Sequence, residues 1–536
     1  MVFVGLDFGT TTSILSYWDG GELRPFHYGG QSDGTQYIPS VVAYLPKQLL
    51  IGQDAMEMQP TEASLYRYFK MLLPEEDKTK WDADFGPYAT QTREPAQVTA
   101  DFIGELICGS SPERERLSLN INRDAFLQVQ GKKIEGLIVS VPHVWSDVRA
   151  HGRQQLQTVV HDLLNLPLIQ LISEPVAAAA YFTHLYTKKQ KEPYRGNLLI
   201  CDMGGGTFDV TLCKLGKDRV EVLCNAGNGE RGLGIAGAQF DLNLLKLKLD
   251  PDVKPEVRAE LLVQLAYIEK RSRRSTTLLE TYLQLSPQEW VKPIYSLPST
   301  QGHPVSIRFE EVEEAFKPVR EGIFQVLADI KKETERRNYS IDKVVLVGGF
   351  SKFPLVQQAV GQFFGEDVFD NPKLIDLVTL SRDDMAFAIS YGACLVANKM
   401  VQVTEKYDHT IGIVVYHGED ERMELELIKA GESLDSLVKT TFCCWEDGRK
   451  RHFRITRDSV DVKIFIRLSG SEGESDKLVR TLSLTDVPNS YVDNRWFLGT
   501  RVDKSKIPYL VLKDVRNGEE KEYPLGDLIP PIIMEA

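Results

Sequence analysis

No stretch of this 536-residue chain approaches the ~20 consecutive apolar residues that a bilayer-crossing helix needs. Lysine and arginine are neither clustered nor in excess: 63 basic side chains stand against 76 acidic ones, for a net charge of −13. The acidity is spread along the chain, since residues 401–536 hold 20 basic and 25 acidic side chains. Without a basic arm or stripe, phosphate-backbone binding is excluded as the main business, and no nucleic-acid partner is expected. The seven cysteines are odd in number and form no C-x-x-C pair, which argues against a disulfide framework or zinc site and for a reducing compartment. Residues Met1 to Asp7 carry no basic leader or small-residue cleavage site. A cytoplasmic protein with no membrane partner is expected.

What is present is an ordinary globular composition, 42% hydrophobic and 26% charged, in a chain too long for one core. A scale of ~100–200 residues per domain predicts roughly three or four compact units. Residues 1 to about 398 alternate short apolar runs with helical periodicity, the pattern of an α/β fold. Phe3–Leu6, Leu137–Val141, Leu198–Cys201 and Val344–Val347 are predicted as strands. Val176–Tyr186, Glu256–Ser275 and Pro354–Phe364 are predicted as helices, with Pro354 suited to a first turn. From about residue 405 the period falls to two: Val462, Ile464, Ile466 and Leu468 share one face, and Met423–Leu427 and Thr481–Leu484 alternate likewise. Turn-rich breaks such as Gly470–Asp476 separate these runs, so a β-sandwich is expected. The reading is an α/β domain over 1–398, a linker over 399–406 and a smaller all-β domain over 407–536.

The most informative feature is an internal echo. Asp7-Phe8-Gly9-Thr10-Thr11-Thr12 and Asp202-Met203-Gly204-Gly205-Gly206-Thr207 match at Asp, Gly and Thr, 195 residues apart. Each follows an apolar strand and precedes another, Ser13–Trp18 in one case and Phe208–Leu212 in the other. A duplicated hairpin in two similar lobes would face its turns across a cleft. Glycine permits positive φ and close backbone approach, so such turns can aim successive amides at one anion. The hydroxyls of Thr10, Thr11 and Thr207 add donors. Asp7 and Asp202 would repel a phosphate unless a cation intervenes, and Mg²⁺ suits one or two carboxylates plus phosphate oxygens and water. Taken singly, each turn also reads as an ordinary tight turn with aspartate capping local backbone. A third element, Lys343–Pro354, runs a buried strand into Gly348-Gly349 and then a helix, leaving bare backbone for a ring or ribose at the strand's carboxyl end. Judged alone, those glycines also fit simple strand–helix packing.

With Leu171–Ala180 added, these turns resemble the nucleotide-binding domain of the DnaK/heat-shock-70 chaperone family, part of the actin-like ATPase superfamily. Gly5–Ser13 resembles the first phosphate motif, Leu199–Val210 the second, Glu174–Ala180 the connecting motif and Val344–Pro354 the adenosine motif. Their order matches over about residues 1–398, and Gly204–Asp209 is closer to the chaperone form than to sugar kinases or actins. The resemblance implies a duplicated actin-like (ribonuclease H-like) ATPase domain of two lobes, followed by the β-sandwich. It implies Mg²⁺-dependent ATP hydrolysis to ADP, with Asp7 and Asp202 holding the hydrated metal mainly through water. Gly9, Thr10, Thr11, Thr12, Gly204, Gly205, Gly206 and Thr207 would cradle the phosphates. Lys70, in Tyr68–Leu72, would reach the γ-phosphate and attacking water, while Glu174, Asp202 and Asp209 complete the catalytic set. On the purine side the resemblance implies Glu269, Arg273 and Thr276, with Gly348, Gly349, Phe350 and Lys352. Phe350 stands where the family has a small hydroxyl residue, and Lys352 where it has arginine.

In that family ATP resets a peptide-binding β-sandwich, which implies a client polypeptide as partner, with a J-domain co-chaperone and a nucleotide-exchange factor. The stretch Leu525–Pro531 is followed by no long amphipathic segment, so a form lacking the helical lid is expected. Lys399–Lys406 is only mildly apolar, unlike the family's leucine-rich linker, whereas Pro142 matches a family proline that relays nucleotide state. Three alternatives stay open: a nucleotide-sensing switch with little hydrolysis, an actin- or MreB-type filament subunit, and a small-molecule kinase.

Overall fold

The computed structural model describes residues 2–28, 36–58, 63–75, 93–109, 112–113, 133–146, 151–228, 234–248, 281–291, 293–297, 305–368, 374–407, 409–417, 421–444, 448–454, 460–467, 477–484 and 495–525. The predicted helix Glu256–Ser275, the break Gly470–Asp476 and Leu468 lie outside these residues. The chain divides into two compact units, one of Met1–Val144 with Gln155–Val403 and one of Trp145–Gln154 with Thr404–Ala536.

The first unit is built on two sheets of the same design. In one, β1 (Val2–Asp7) pairs antiparallel with β2 (Thr12–Trp18) and β2 with β3 (Leu23–Pro25). On its other side β1 pairs parallel with β4 (Ile134–Val141), and β4 parallel with β5 (Leu168–Ser173). In the second sheet β6 (Gly196–Met203) pairs antiparallel with β7 (Phe208–Leu215), and β7 with β8 (Arg219–Asn228). On the far side β6 pairs parallel with β9 (Lys343–Val347). The echo in the sequence is thus an echo in topology: a hairpin whose first strand also takes a parallel neighbour. Leu198 to Cys201 and Val344 to Val347 are fully enclosed, as expected of strands covered on both faces. The strand Gln402–Thr404 closes the β8 edge, with the Gln402 amide donating to the Asp218 carbonyl.

Two helices join the sheets into one core, which is why the α/β region does not split further. One is α1 (Glu174–Gln190), which starts after β5 with proline in its first turn and ends at Lys191, whose φ is +63°. The other is α2 (Arg382–Ala397), whose N-terminal Ser381 hydroxyl accepts from the Asp384 amide. Small residues set their spacing: a Cβ added at Gly392 would fall 1.7 Å from the Ala177 carbonyl oxygen, and one at Gly5 2.3 Å from that of Ser390. Ser16 donates to the Ser390 hydroxyl at 2.7 Å, tying β2 to α2.

The second unit is a β-sandwich. One sheet holds β10 (Thr410–His417), β11 (Glu421–Ile428), β12 (Val460–Arg467) and β13 (Lys477–Leu484), all antiparallel, in the order β11-β10-β12-β13. The other is centred on β14 (Arg495–Val502), β15 (Pro508–Asp514) and β16 (Glu520–Pro524). Ile411, Ile413, Ile464 and Ile466 from one sheet share a core with Trp496, Leu498, Leu510 and Leu512 from the other. Phe465 is buried as well, on the opposite face from Ile464; it lies against Gly412, where a Cβ would meet its ring at 2.3 Å.

Candidate functional site

The two hairpin turns abut. A Cβ added at Gly205 would sit 2.5 Å from the Thr11 hydroxyl oxygen, and one at Gly206 2.3 Å from that of Thr10. Glycine is therefore required at both positions by the opposite turn. Gly9 is required by its own turn, since a Cβ there would lie 2.1 Å from the Thr12 carbonyl oxygen. The second turn is laced to the chain after β8: the Gly234, Gly237 and Ala238 amides donate to the carbonyls of Gly206, Gly204 and Gly205. Between the turns opens a cleft. Its wall includes Asp7, Gly9, Thr10, Thr11, Thr12, Lys70, Glu174 and Asp202. Gly204, Gly205, Gly206, Thr207, Gly348, Gly349 and Phe350 line it too.

Register explains how the acids meet. Asp7 ends β1 opposite Ile14, while Asp202 pairs with Asp209 across the second hairpin. Asp209 is fully buried just behind the wall, its Oδ1 accepting from the Val144 amide at 3.2 Å. Glu174 arrives at the first position of α1, where the helix N-terminus favours a carboxylate. Lys70 sits on the short helix Phe69–Leu72; its Nζ donates to Glu174 Oε1 at 2.5 Å and stands 5.7 Å from the centre of the Phe8 ring. Four buried carboxyl groups thus face one buried ammonium.

That imbalance is visible in their proton affinities. Burial first, then the neighbouring Glu174, pushes Asp7 up to about 7, against the pull of Lys70 and the Ser140 hydrogen bond. Burial and Glu174 also push Asp209 up to about 7. Asp202 is raised well above the usual carboxylate range by burial and by Glu174, Asp209 and Asp7. Asp202 Oδ2 and Asp209 Oδ2 have no hydrogen-bond partner among the described residues. A buried, mutually repelling set of carboxylates with one ammonium among them is a place for a cation. Among the described residues no three His, Cys, Asp or Glu side chains come close enough to cage a metal directly. Magnesium, which keeps most of its water and needs few carboxylates, fits that donor set.

The third glycine turn lies against the second. Asp202 pairs with Val347 in register, so Gly348 follows at the same level with φ +87°, and a Cβ there would lie 2.5 Å from Asp202 Oδ1. Phe350 presents one side to the cleft while its ring stacks on Phe353 at 5.2 Å and packs near Phe240 at 5.6 Å. Lys352 is not on the wall, but its Nζ stands 5.8 Å from the ring centre of Tyr37, a residue that lines it. Glu269, Arg273 and Thr276 lie outside the described residues.

Sequence reasoning missed Ser140, Tyr37, Ile14, Ala386 and Ile389. Ser140 is fully buried in β4 and donates to Asp7 Oδ1 at 2.9 Å; a serine interrupting an otherwise apolar buried strand was its signal. The other four line the cleft through tertiary placement and carry no local signature.

A sequence model described as Hsp70 protein matches residues 3–379, more than two-thirds of the chain. A ribosome-associated molecular chaperone of Nakaseomyces delphensis is 28% identical over 375 residues, covering 67% of this chain and 57% of that protein. The ribosome-associated molecular chaperone SSB of Candida glabrata is 27% identical over 406 residues, covering 73% of this chain and 60% of that protein. The chaperone protein DnaK of Deinococcus deserti is 27% identical over 429 residues, covering 77% of this chain and 63% of its own length. The chain therefore aligns with less than two-thirds of the length of these relatives.

Proposed function

This chain belongs to the Hsp70 family, and from that premise we propose that it is an ATP-hydrolysing molecular chaperone that couples nucleotide state to the binding of a client polypeptide. The observation that carries the proposal is the meeting of Asp7 and Asp202, from two copies of one hairpin, in a single glycine-walled cleft with the Lys70–Glu174 pair.

In this proposal Asp7 and Asp202 hold a hydrated Mg²⁺ mainly through water. When bound, the cation neutralises charge on the β- and γ-phosphates. Residues 9–12 and 204–207 present hydroxyls and backbone to the phosphates, and their tight mutual packing fixes where those phosphates lie. Lys70 supplies positive charge where the γ-phosphoryl group develops negative charge, as phosphoryl transfer requires. Glu174 holds the Lys70 ammonium in place, and Glu174 and Asp209 would help orient the metal's water and the attacking water. The adenosine side falls to residues 348–352 together with Glu269, Arg273 and Thr276. The catalytic body spans 1–398 and the β-sandwich from 407 onward receives the client, with 399–406 between them. A J-domain co-chaperone and an exchange factor are the corresponding regulators, and the cytoplasm the expected compartment. No helix among the described residues is long and apolar enough to cross a membrane.

The test is steady-state ATP turnover with Mg²⁺, with and without an unfolded peptide. Turnover that needs Mg²⁺ and rises with peptide supports the proposal. Turnover indifferent to peptide favours a free-standing switch, ATP-dependent sedimentation a filament subunit, and phosphorylation of a polyol a kinase.

A further inference from the structure

We propose that Tyr37 and Lys352 form a clasp across the nucleotide cleft, and that opening this clasp limits how fast bound nucleotide leaves. The inference rests on the cleft being a nucleotide site and adds a device that governs exchange. Tyr37 immediately precedes the strand Ile38–Pro39, which pairs with β2 in the first sheet, and its ring lines the cleft. Lys352 ends the short turn Phe350–Lys352 that follows β9 of the second sheet. The ammonium stands 5.8 Å from the ring centre, inside the ~6 Å reach of a cation–π contact. One side chain thus comes from each lobe, and they meet beside the cavity that a ligand must vacate.

Both ends of the contact are braced. The Tyr37 ring lies 5.2 Å from Phe387 on α2, and Phe387 stacks on Tyr391 at 5.3 Å with 20° between planes. The turn carrying Lys352 is pinned by the Phe350–Phe353 stack, at 5.2 Å and 15°, and by Gln357 Nε2 donating to the Ser351 carbonyl at 3.2 Å. Lys352 is only 8% exposed, so its charge has lost most of its water, and the electron-rich ring face returns part of that solvation. The same lysine that the sequence pointed to for base contact stands beside an aromatic ring of the opposite lobe. With the Tyr37 ring packed on Phe387 and the turn that carries Lys352 pinned, moving the two loops apart parts the contact. That movement is also what releases a ligand held between the lobes.

The test is stopped-flow release of a fluorescent ADP analogue, chased with unlabelled ADP, from the full chain and from Tyr37→Leu, Lys352→Met, their double variant and Tyr37→Phe. Each of the first two should speed release about 3- to 30-fold, the range of a partly desolvated cation–π contact. The double variant should be no faster than the faster single, and Tyr37→Phe, which keeps the ring face, should stay within about twofold of the parent. Lys352→Met leaves every ring in place and carries the test if Tyr37→Leu does not fold. Parental release rates in Lys352→Met, or multiplicative effects in the double variant, overturn the clasp while leaving the nucleotide site intact. Failure of the parent chain to bind the analogue overturns the nucleotide reading itself.

Discussion

The two hairpins that build the cleft share a backbone plan and differ in chemistry. In the first, Asp7 faces Ile14 across the ladder and has one oxygen engaged by Ser140. In the second, Asp202 faces another acid, Asp209, and its Oδ2 has no hydrogen-bond partner among the described residues. Duplication thus supplied the frame, a strand–turn–strand with a parallel neighbour. The acidic charge is concentrated in the second hairpin, where burial and three neighbouring carboxylates raise Asp202 well above the ordinary carboxylate range. In the proposed function, the shared frame would set where the phosphates lie, and the difference in charge would decide which lobe holds the cation more tightly.

The comparison breaks most visibly if a central charge is removed. Lys70→Ala and Asp202→Asn are expected to lower kcat by about 100- to 1000-fold, measured by phosphate release, with smaller changes in nucleotide affinity. Asp7→Asn should cost less than Asp202→Asn, and equal losses would erase the proposed asymmetry. Asp202→Asn has an opposite effect on the metal-free protein. Removing a buried, repelled carboxylate at position 202 should raise the melting temperature without ligand, and adding Mg-ADP should then stabilise the variant less than the parent.

A middle-sized effect follows from the contact between turns. Gly206→Ala puts a methyl group where the Thr10 hydroxyl lies, so one turn must shift against the other. A loss of about 1–3 kcal/mol, read from denaturant unfolding, is expected together with weaker nucleotide binding, and pairing it with Thr10→Ser should not relieve the clash because the oxygen remains. The smallest effect sharpens the first hairpin. Ser140→Ala removes the donor to Asp7 and should weaken Mg-dependent nucleotide binding several-fold, on the scale of ~1 kcal/mol for one intramolecular hydrogen bond, while Ser140→Thr restores it.

Much of this frame was legible from sequence because it is local. The strands around Phe3–Leu6, Leu198–Cys201 and Val344–Val347 announce themselves as short apolar runs, and glycine turns follow them. The helix Pro354–Phe364 is found with the predicted bounds. What stayed hidden is what depends on pairing between distant segments. The juxtaposition of Asp202 and Asp209 comes from hairpin register, Ser140 reaches Asp7 through a parallel pairing, and Tyr37 meets Lys352 only when both lobes are folded. The number of compact units was overestimated for a related reason: α1 and α2, touching through Ala177 and Gly392, fuse the lobes into one core that no local pattern discloses. A three-residue strand such as Gln402–Thr404 has no periodicity to read and exists only by virtue of the β8 edge.

The most direct test of the central claim is calorimetric titration of the full chain with Mg-ADP. The account predicts a single site per chain, weakened by both Asp7→Asn and Asp202→Asn and more by the second, with the double variant losing less than the sum of the two. Two independent sites, or a site indifferent to either substitution, would contradict it.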